Sequence, residues 1–472
     1  MAVAIAAVRA SASGAERDQA GRGAAKAAPL RAVETTGSDA STILRVEKHE
    51  LTELASGERV ISERIASVRS IAIGFFVAAG ARDEPDSRAG ISHFIEHLLF
   101  KGTPKYTAQA IAETFDELGG ELNAATSRET TMVYARVPDN RLEVAIDVMS
   151  DMVYRPVFAE VDSEREVVLE EIAMVEDTPH DLVHDLAAEA VFGDHPLGRP
   201  VIGRAEVIST VSRRALAAYH RRAYAGEKIV IAAAGNVRHD RLVGLLEERG
   251  RGERRGVGLT TRKPVRRTGA PGLRFQRKDT EQYHVCLAAP GISNDDERRY
   301  AASILDAIVG GSASSRLFQE IREKRGMAYS VYSYGSQYSD TGQIGLYVGT
   351  RSDNLPLCLE IAVAELGDIA AGNVRPDELA RAKENLKGRL LLSLESTSNR
   401  MTRLGRAVVT DRPLLEVNEV LRRLDVVTAA DVAALADELF APGRLSAAGI
   451  GSDEARFRES VALVNPGLLK AA

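Results

Sequence analysis

The chain predicts an α+β fold built twice, each copy a mostly antiparallel sheet flanked by helices. Three observations carry this. Segments of helical period alternate with short strand-like runs spaced as hairpins. One order of elements, strand then acidic turn then helix, occurs in "VRSIAIGFFVAAGARDEPDSRAGISHFIEHLLF" and again in "LRFQRKDTEQYHVCLAAPGISNDDERRYAASILDAIVGG". Between them lies "RGRGERRGVGLTTRKPVRRTGAPG", where Gly, Pro and Arg replace periodic apolar residues. A chain of 472 residues also exceeds what one hydrophobic core usually serves.

Residues 1–45 are rich in Ala, Arg, Gly and Ser without a sustained apolar period, and are expected to form a disordered extension. Arg9 interrupts the short run "VAIAAV", which no basic residue precedes, so a secretory signal does not fit. The Ala- and Arg-rich composition also suits an organellar transit peptide, which Glu16 and Asp18 weaken, and a dispensable or wrongly assigned start is at least as good a reading. A first domain is expected over 46–250, a linker over 251–270, a second domain over 271–465 and a tail over 466–472.

The first domain opens with β-branched runs flanking "ASGE", a hairpin, and continues into the strand "VRSIAIGFFV". "GISHFIEHLLFKG" starts a helix after Gly90 and ends it near Gly102, with Ser92 as a candidate cap. "AQAIAETFDELGG" is an amphipathic helix closed by two glycines, and "ELNAATSRETTMVYARV" follows as strand. Helical period returns over residues 140–155 and 163–176.

Composition narrows the function. A hydrophobic fraction of 44% and a charged fraction of 27% describe an ordinary globular chain, and no apolar run reaches the length of a membrane span. The formal charge of -6, without a dominant basic block, gives no reason to expect a nucleic-acid partner. Cys286 and Cys358 are too few for a disulfide framework or a thiolate metal site, and read as small buried apolar residues in a reducing, cytoplasm-like compartment.

Chemistry concentrates in "ISHFIEHLLFKGT". His93 and His97 are four apart, so on a helix both imidazoles stand on one face, with Glu96 on the same side. Such a trio is costly inside an apolar segment unless something compensates, and a divalent metal would. A hydrolytic zinc site wants three protein ligands and an open position for water. The third is sought in "SEREVVLEEIAMVEDTPHD", where Glu164 and Glu171 share a face, Val167, Val168 and Ile172 read as core, and Glu170 points about a hundred degrees from Glu171. Spacing alone does not choose between Glu170 and Glu171. The plain alternative is that His93 and His97 are packed or exposed helical histidines. His180 and His184, in "DTPHDLVHD", read as a solvated helix start. "GDHPLGRPVIG" reads as an ordered loop.

"GISHFIEHLLFKGT", "LGGELNAATSRETTMVYARV" and "EREVVLEEIAM", in that order, resemble the inverted zinc-peptidase motifs of the pitrilysin and insulysin family, nearest to its processing-peptidase-like branch. The resemblance runs from about residue 46 to about residue 450. It implies two homologous domains closing as a clamshell and one zinc per chain held by His93, His97 and Glu171. Glu96 would be general base, and Glu164 would support a ligating histidine. It implies that Asn123 binds substrate backbone and that Arg322 and Tyr329, in "SRLFQEIREKRGMAYSVYSY", assist at the substrate carbonyl. Without the resemblance, Asn123 reads as a turn residue, Arg322 as a surface charge and Tyr329 as a core strand aromatic.

The expected activity is zinc-dependent endoproteolysis of extended or unfolded peptides. A non-catalytic peptide-binding or core-complex subunit is the alternative this fold also furnishes. Because the metal motif and the Arg/Tyr pair sit in one chain, the resemblance implies that no different subunit is required, and a homodimer or a two-domain clamshell is the expected assembly. A bacterial cytoplasm is the expected location, with the mitochondrial matrix as alternative.

Overall fold

A computed structural model describes residues 49–250, 262, 264–265 and 270–470. The extension expected over 1–45 lies outside the described residues, as does most of the linker expected over 251–270. Of the expected tail, Pro466–Lys470 forms a short 3-10 turn.

Six strands of the first half, β1 (His49–Glu53), β2 (Arg59–Arg64), β3 (Ser70–Val77), β4 (Glu121–Thr126), β5 (Thr131–Pro138) and β6 (Ile229–Gly235), form one sheet in the order β1-β2-β6-β3-β5-β4. Five strands of the second half, β7 (Leu273–Arg277), β8 (Tyr283–Gly291), β9 (Ala328–Gln337), β10 (Gly342–Thr350) and β11 (Ser446–Gly451), form another in the order β7-β11-β8-β10-β9. With β1 set aside the two orders are the same. Each sheet also has one parallel pair, β2 with β6 and β7 with β11, among otherwise antiparallel pairs. The α+β class and the internal repeat read from the sequence are therefore present in the topology.

The hairpin of β1 and β2 forms around "ASGE" as expected. "ELNAATSRETTMVYARV" is not one strand but two, β4 and β5, turning at Ser127–Thr130, where Ser127 donates its backbone N–H to the Thr130 carbonyl at 2.7 Å. The turn fits a polar cluster in which Ser127 Oγ also bonds Thr130.

The strands next to the sheet centres are apolar on both faces, because both faces are covered. In β3, "SIAIGFFV", every residue after Ser70 is buried, and β6, "IVIAAAG", is buried throughout. One face of the first sheet meets its own half's helices in a large core. The other face meets the helix Thr397–Val409, which comes from the second half: Met401, Leu404 and Val408 pack with Ile61, Ala72, Phe76, Val230, Ala232 and Ala234. The exchange is reciprocal. Helix Pro179–Phe192 of the first half places Val183 and Ala187 against Cys286, Ala288, Tyr347, Ala448 and Ile450 of the second sheet.

The second of these exchanges depends on a sharp redirection. Helix Val161–Asp177 stops at Thr178, which is extended at φ -105 and ψ 94, and Pro179 opens the next helix at its first turn. A residue before proline is biased away from the helical region, and proline in the first turn forfeits no needed N–H. The first depends on close approach: a Cβ at Gly405 would lie 2.1 Å from the Phe76 ring. Gly405→Ala should therefore destabilise the protein by about 1–3 kcal/mol, despite alanine's better helix propensity, which urea unfolding measures directly.

Candidate active site

The motif helix runs over Ile91–Leu99 and buries Ile91, Phe94, Ile95, Leu98 and Leu99 in the first core. Its start differs from the sequence reading. Gly90, at φ 95, is the N-cap, and Ser92 instead sits inside the helix with its hydroxyl 3.0 Å from Tyr219 Oη. The capping group is Glu84, whose two oxygens accept from the N–H of Gly90 at 2.6 Å and of Ser92 at 2.7 Å. Glu84 is fully buried, and burial lifts its carboxyl to about 7 against the opposing pull of those backbone N–H groups. A carboxylate at a helix N-terminus is favourably placed against the macrodipole, so the helix is anchored one turn before His93.

His93 and His97 stand together, ring centroids 4.6 Å apart. Glu171, reaching in from helix Val161–Asp177, places Oε2 3.3 Å from His97 Nε2 and 3.7 Å from His93 Nε2. Glu170 is exposed, and of the two carboxylates that spacing left open it is Glu171 that lies beside the histidines. Of the three apolar residues read as core on that helix, Val168 and Ile172 are buried, whereas Val167 is exposed. One ligand atom from each of His93, His97 and Glu171 lies within 4.8 Å of the others, and among the described residues no other His, Cys, Asp and Glu group has this arrangement.

This donor set fits a divalent metal. Glu164 Oε1 lies 2.9 Å from His97 Nδ1. A carboxylate only accepts, so Nδ1 donates to Glu164, and Nε2 is the nitrogen that faces Glu171. Glu164 is itself held by Lys101 Nζ at 2.6 Å. Burial pushes the His93 imidazole down to about 4, with His97 adding to the effect, so it stands neutral. Burial also acts to lower His97, but hydrogen bonds with Glu171 and Glu164 outweigh it and hold its pKa raised. Glu171 is held below the usual carboxylate range, first by its hydrogen bond with His97.

Glu96, one turn along the same helix, accepts from Thr126 Oγ at 2.5 Å. Burial raises its pKa, the Thr126 hydrogen bond opposes that, and His97 and Glu171 are near enough for their charges to act on it. Thr126 carried no signal in the sequence beyond its place three residues after Asn123. Asn123 is exposed on β4, the edge of the first sheet, opposite Tyr134 on β5. It is a strand residue rather than a turn residue, and its Oδ1 accepts from the Ala124 N–H at 2.8 Å. A groove of 610 Å³ adjoins this edge, lined by Phe100, Ile111, Phe115, Leu122, Asn123 and Tyr134 among others.

Arg322 and Tyr329 are brought together, the guanidinium carbon lying 4.6 Å from the Tyr329 ring centroid. Arg322 belongs to the π-helical turn Phe318–Glu323 and Tyr329 to β9, the edge of the second sheet and the counterpart of β4. Tyr329 is 76% exposed, so it is not a core aromatic. His180 and His184 are not a solvated helix start either: both hydrogen-bond Tyr332 Oη, at 3.0 and 2.8 Å, and pack against Tyr347. Helix Pro179–Phe192 crosses onto the second sheet there, a contact that local period cannot reveal. The loop "GDHPLGRPVIG" is ordered, with Arg199 buried against the carbonyls of Ala81 and Glu84. Cys286 and Cys358 are free and buried.

Two repeated sheets, with a His-His-Glu trio on the helices of the first half, define a class that comparison makes specific. The insulinase (peptidase family M16) model matches residues 59–205, and the model described as the M16 inactive domain matches residues 210–386. A Streptomyces coelicolor protein named an uncharacterized zinc protease is 42% identical over 398 residues, covering 82% of this chain and 86% of that relative. A Bacillus subtilis protein of the same description is 39% identical and covers 82% and 94%. The crystal structure of a Helicobacter pylori protease superposes with a TM-score of 0.82 at 21% identity, over 86% of this chain and all, 100%, of that one. The chain belongs to the insulinase family of M16 peptidases. No helix among the described residues is long and apolar enough to cross a membrane.

Proposed function

We propose that the protein is a zinc-dependent endopeptidase acting on extended or unfolded peptides. The observation that carries this is the convergence of His93, His97 and Glu171 within 4.8 Å, with Glu96 held beside them. One zinc ion per chain, held by these three residues, would supply a Lewis acid for the scissile carbonyl and make water acidic enough to attack near neutral pH. Glu164 fixes the His97 tautomer, and Lys101 keeps Glu164 in place.

The remaining steps belong to the chain's own side chains. Glu96 takes a proton from the attacking water and delivers it to the leaving amine. The open edge of β4 receives the peptide as an added strand, Asn123 holds its backbone, and the apolar groove beside that edge takes a side chain. Arg322 and Tyr329 donate to the substrate carbonyl and to the charge that develops on it. An extended main chain is what a sheet edge recognises, so a folded substrate offers nothing to bind.

The test is hydrolysis of an internally quenched peptide library by the purified chain, repeated after chelation and after one equivalent of zinc is restored. Activity should fall at least 100-fold on chelation and return with zinc, as expected when the metal's electrostatic contribution is removed, on the order of several kcal/mol. Cleavage that survives complete metal removal would sink the reading.

A further inference from the structure

Thr126 is the last residue of β4, 6% exposed, and its backbone is paired with Thr131 across the hairpin. Its hydroxyl lies 2.5 Å from Glu96 Oε2. A carboxylate oxygen cannot donate, so the threonine hydroxyl does, and one oxygen of Glu96 is thereby engaged. The strand that bears Thr126 has little freedom to drift. The turn after it closes through Ser127 and Thr130, Ala81 donates to the Ser127 carbonyl at 3.1 Å, and Arg82 donates to the Arg128 carbonyl at 2.7 Å. A Cβ at Gly80 would lie 2.3 Å from the Ser127 carbonyl oxygen, so these two backbones already touch. Two residues beyond Arg128's neighbour Ser127, Glu129 accepts from the Arg82 guanidinium at 2.7 Å and from the Ser339 N–H of the second half at 2.9 Å.

We propose that Thr126 is a positioning residue for Glu96: by occupying Oε2 it fixes the carboxylate plane and leaves Oε1 as the oxygen that accepts the proton. The inference rests on reading Glu96 as the general base. A hydrogen bond from a rigid strand holds the carboxylate in one orientation. Without it, the side chain can rotate among rotamers that no longer aim Oε1 at the site, and misplacement of a reacting group by about 1 Å costs on the order of 100-fold in rate.

Thr126→Val keeps the β-branched shape and strand preference while removing the donor, and Thr126→Ser keeps the donor. Both are compared with the wild type for peptide hydrolysis, bound zinc, and crystal structure. The expected result is a fall in kcat of roughly 10- to 100-fold for Thr126→Val. KM and zinc content should stay within about twofold of wild type, because neither depends on the orientation of Glu96, and Thr126→Ser should recover most of the rate. A Thr126→Val enzyme with wild-type kcat overturns the proposal, and so does a loss of zinc that accounts for the lost rate. If the wild type itself cleaves no peptide, the endopeptidase reading fails, and the crystal structures then decide the positioning separately. Glu96 displaced in Thr126→Val and retained in Thr126→Ser supports it, whereas Glu96 unmoved in both overturns it.

Discussion

Glu96→Gln should retain zinc at the wild-type stoichiometry and lose peptide hydrolysis by roughly 100- to 10,000-fold, the range a positioned acid–base group supplies. The amide is nearly isosteric with the carboxylate, so the helix Ile91–Leu99 keeps its packing. Thr126 Oγ retains an acceptor in the glutamine carbonyl. What is lost is the group that can take a proton. His93, His97 and Glu171 are untouched, so metal content measured beside the rate separates a missing base from a missing metal. Equal loss of zinc and rate would mean that Glu96 acts on the metal site rather than on the proton. An active variant would remove Glu96 from the mechanism altogether.

The second large effect concerns stability. Arg82 is buried, its side chain 1% exposed, and it joins Glu129 of the first half to Asp340 of the second through bonds of 2.7 Å to each. Burial acts to lower its pKa, but the hydrogen bonds with Asp340 and Glu129 outweigh it and raise the value further. Arg262 adds a second guanidinium, sharing Glu129 at 3.3 Å and pairing with Asp83 at 2.8 Å. Removing one member of a buried, hydrogen-bonded ion network leaves the others desolvated and unpaired, at about 3–5 kcal/mol. Arg82→Ala should therefore lower the urea midpoint by an amount equivalent to about 3 kcal/mol. Arg59→Ala, which breaks a pair whose Asp411 is 80% exposed, should change stability by less than about 1 kcal/mol. Equal effects from the two variants would show that the network holds the halves no more firmly than a surface pair does.

Much of the fold was legible because local chemistry dictates it. Gly119, at φ 62, ends the helix Ala108–Leu118 where the glycine pair predicted, and "ASGE" turns the first hairpin. Helical period placed the motif helix and the Glu171 helix within a few residues of their ends. At the site, four-residue spacing put the two histidines on one face, because a helix repeats every 3.6 residues. The choice of Glu171 over Glu170 needed the family resemblance or the fold, since a neighbouring helix decides which face points inward. Long-range contacts left no local trace. Ser92 has the side chain of a cap, yet Glu84, six residues before Gly90, took that role through space. His180 and His184 look solvated in sequence because their partner, Tyr332, is about 150 residues away, at separations of 152 and 148. Val167 reads as core by composition but faces outward, beside Glu171.

The exchange of helices between the two sheets bears on how such a chain can change over time. Phe76 rests on Gly405, and Ala187 packs in one cluster with Ala448, so each half carries part of the other's interior. A duplicated gene whose products were independent domains could lose or replace either copy. Here neither copy is heritable alone, because deleting one strips a buried face from the survivor. Divergence is then channelled away from the mutual faces and into the surfaces that remain open. One copy could do without the H-x-x-E-H pattern, which the helix Arg299–Val309 lacks, while its scaffold stayed indispensable.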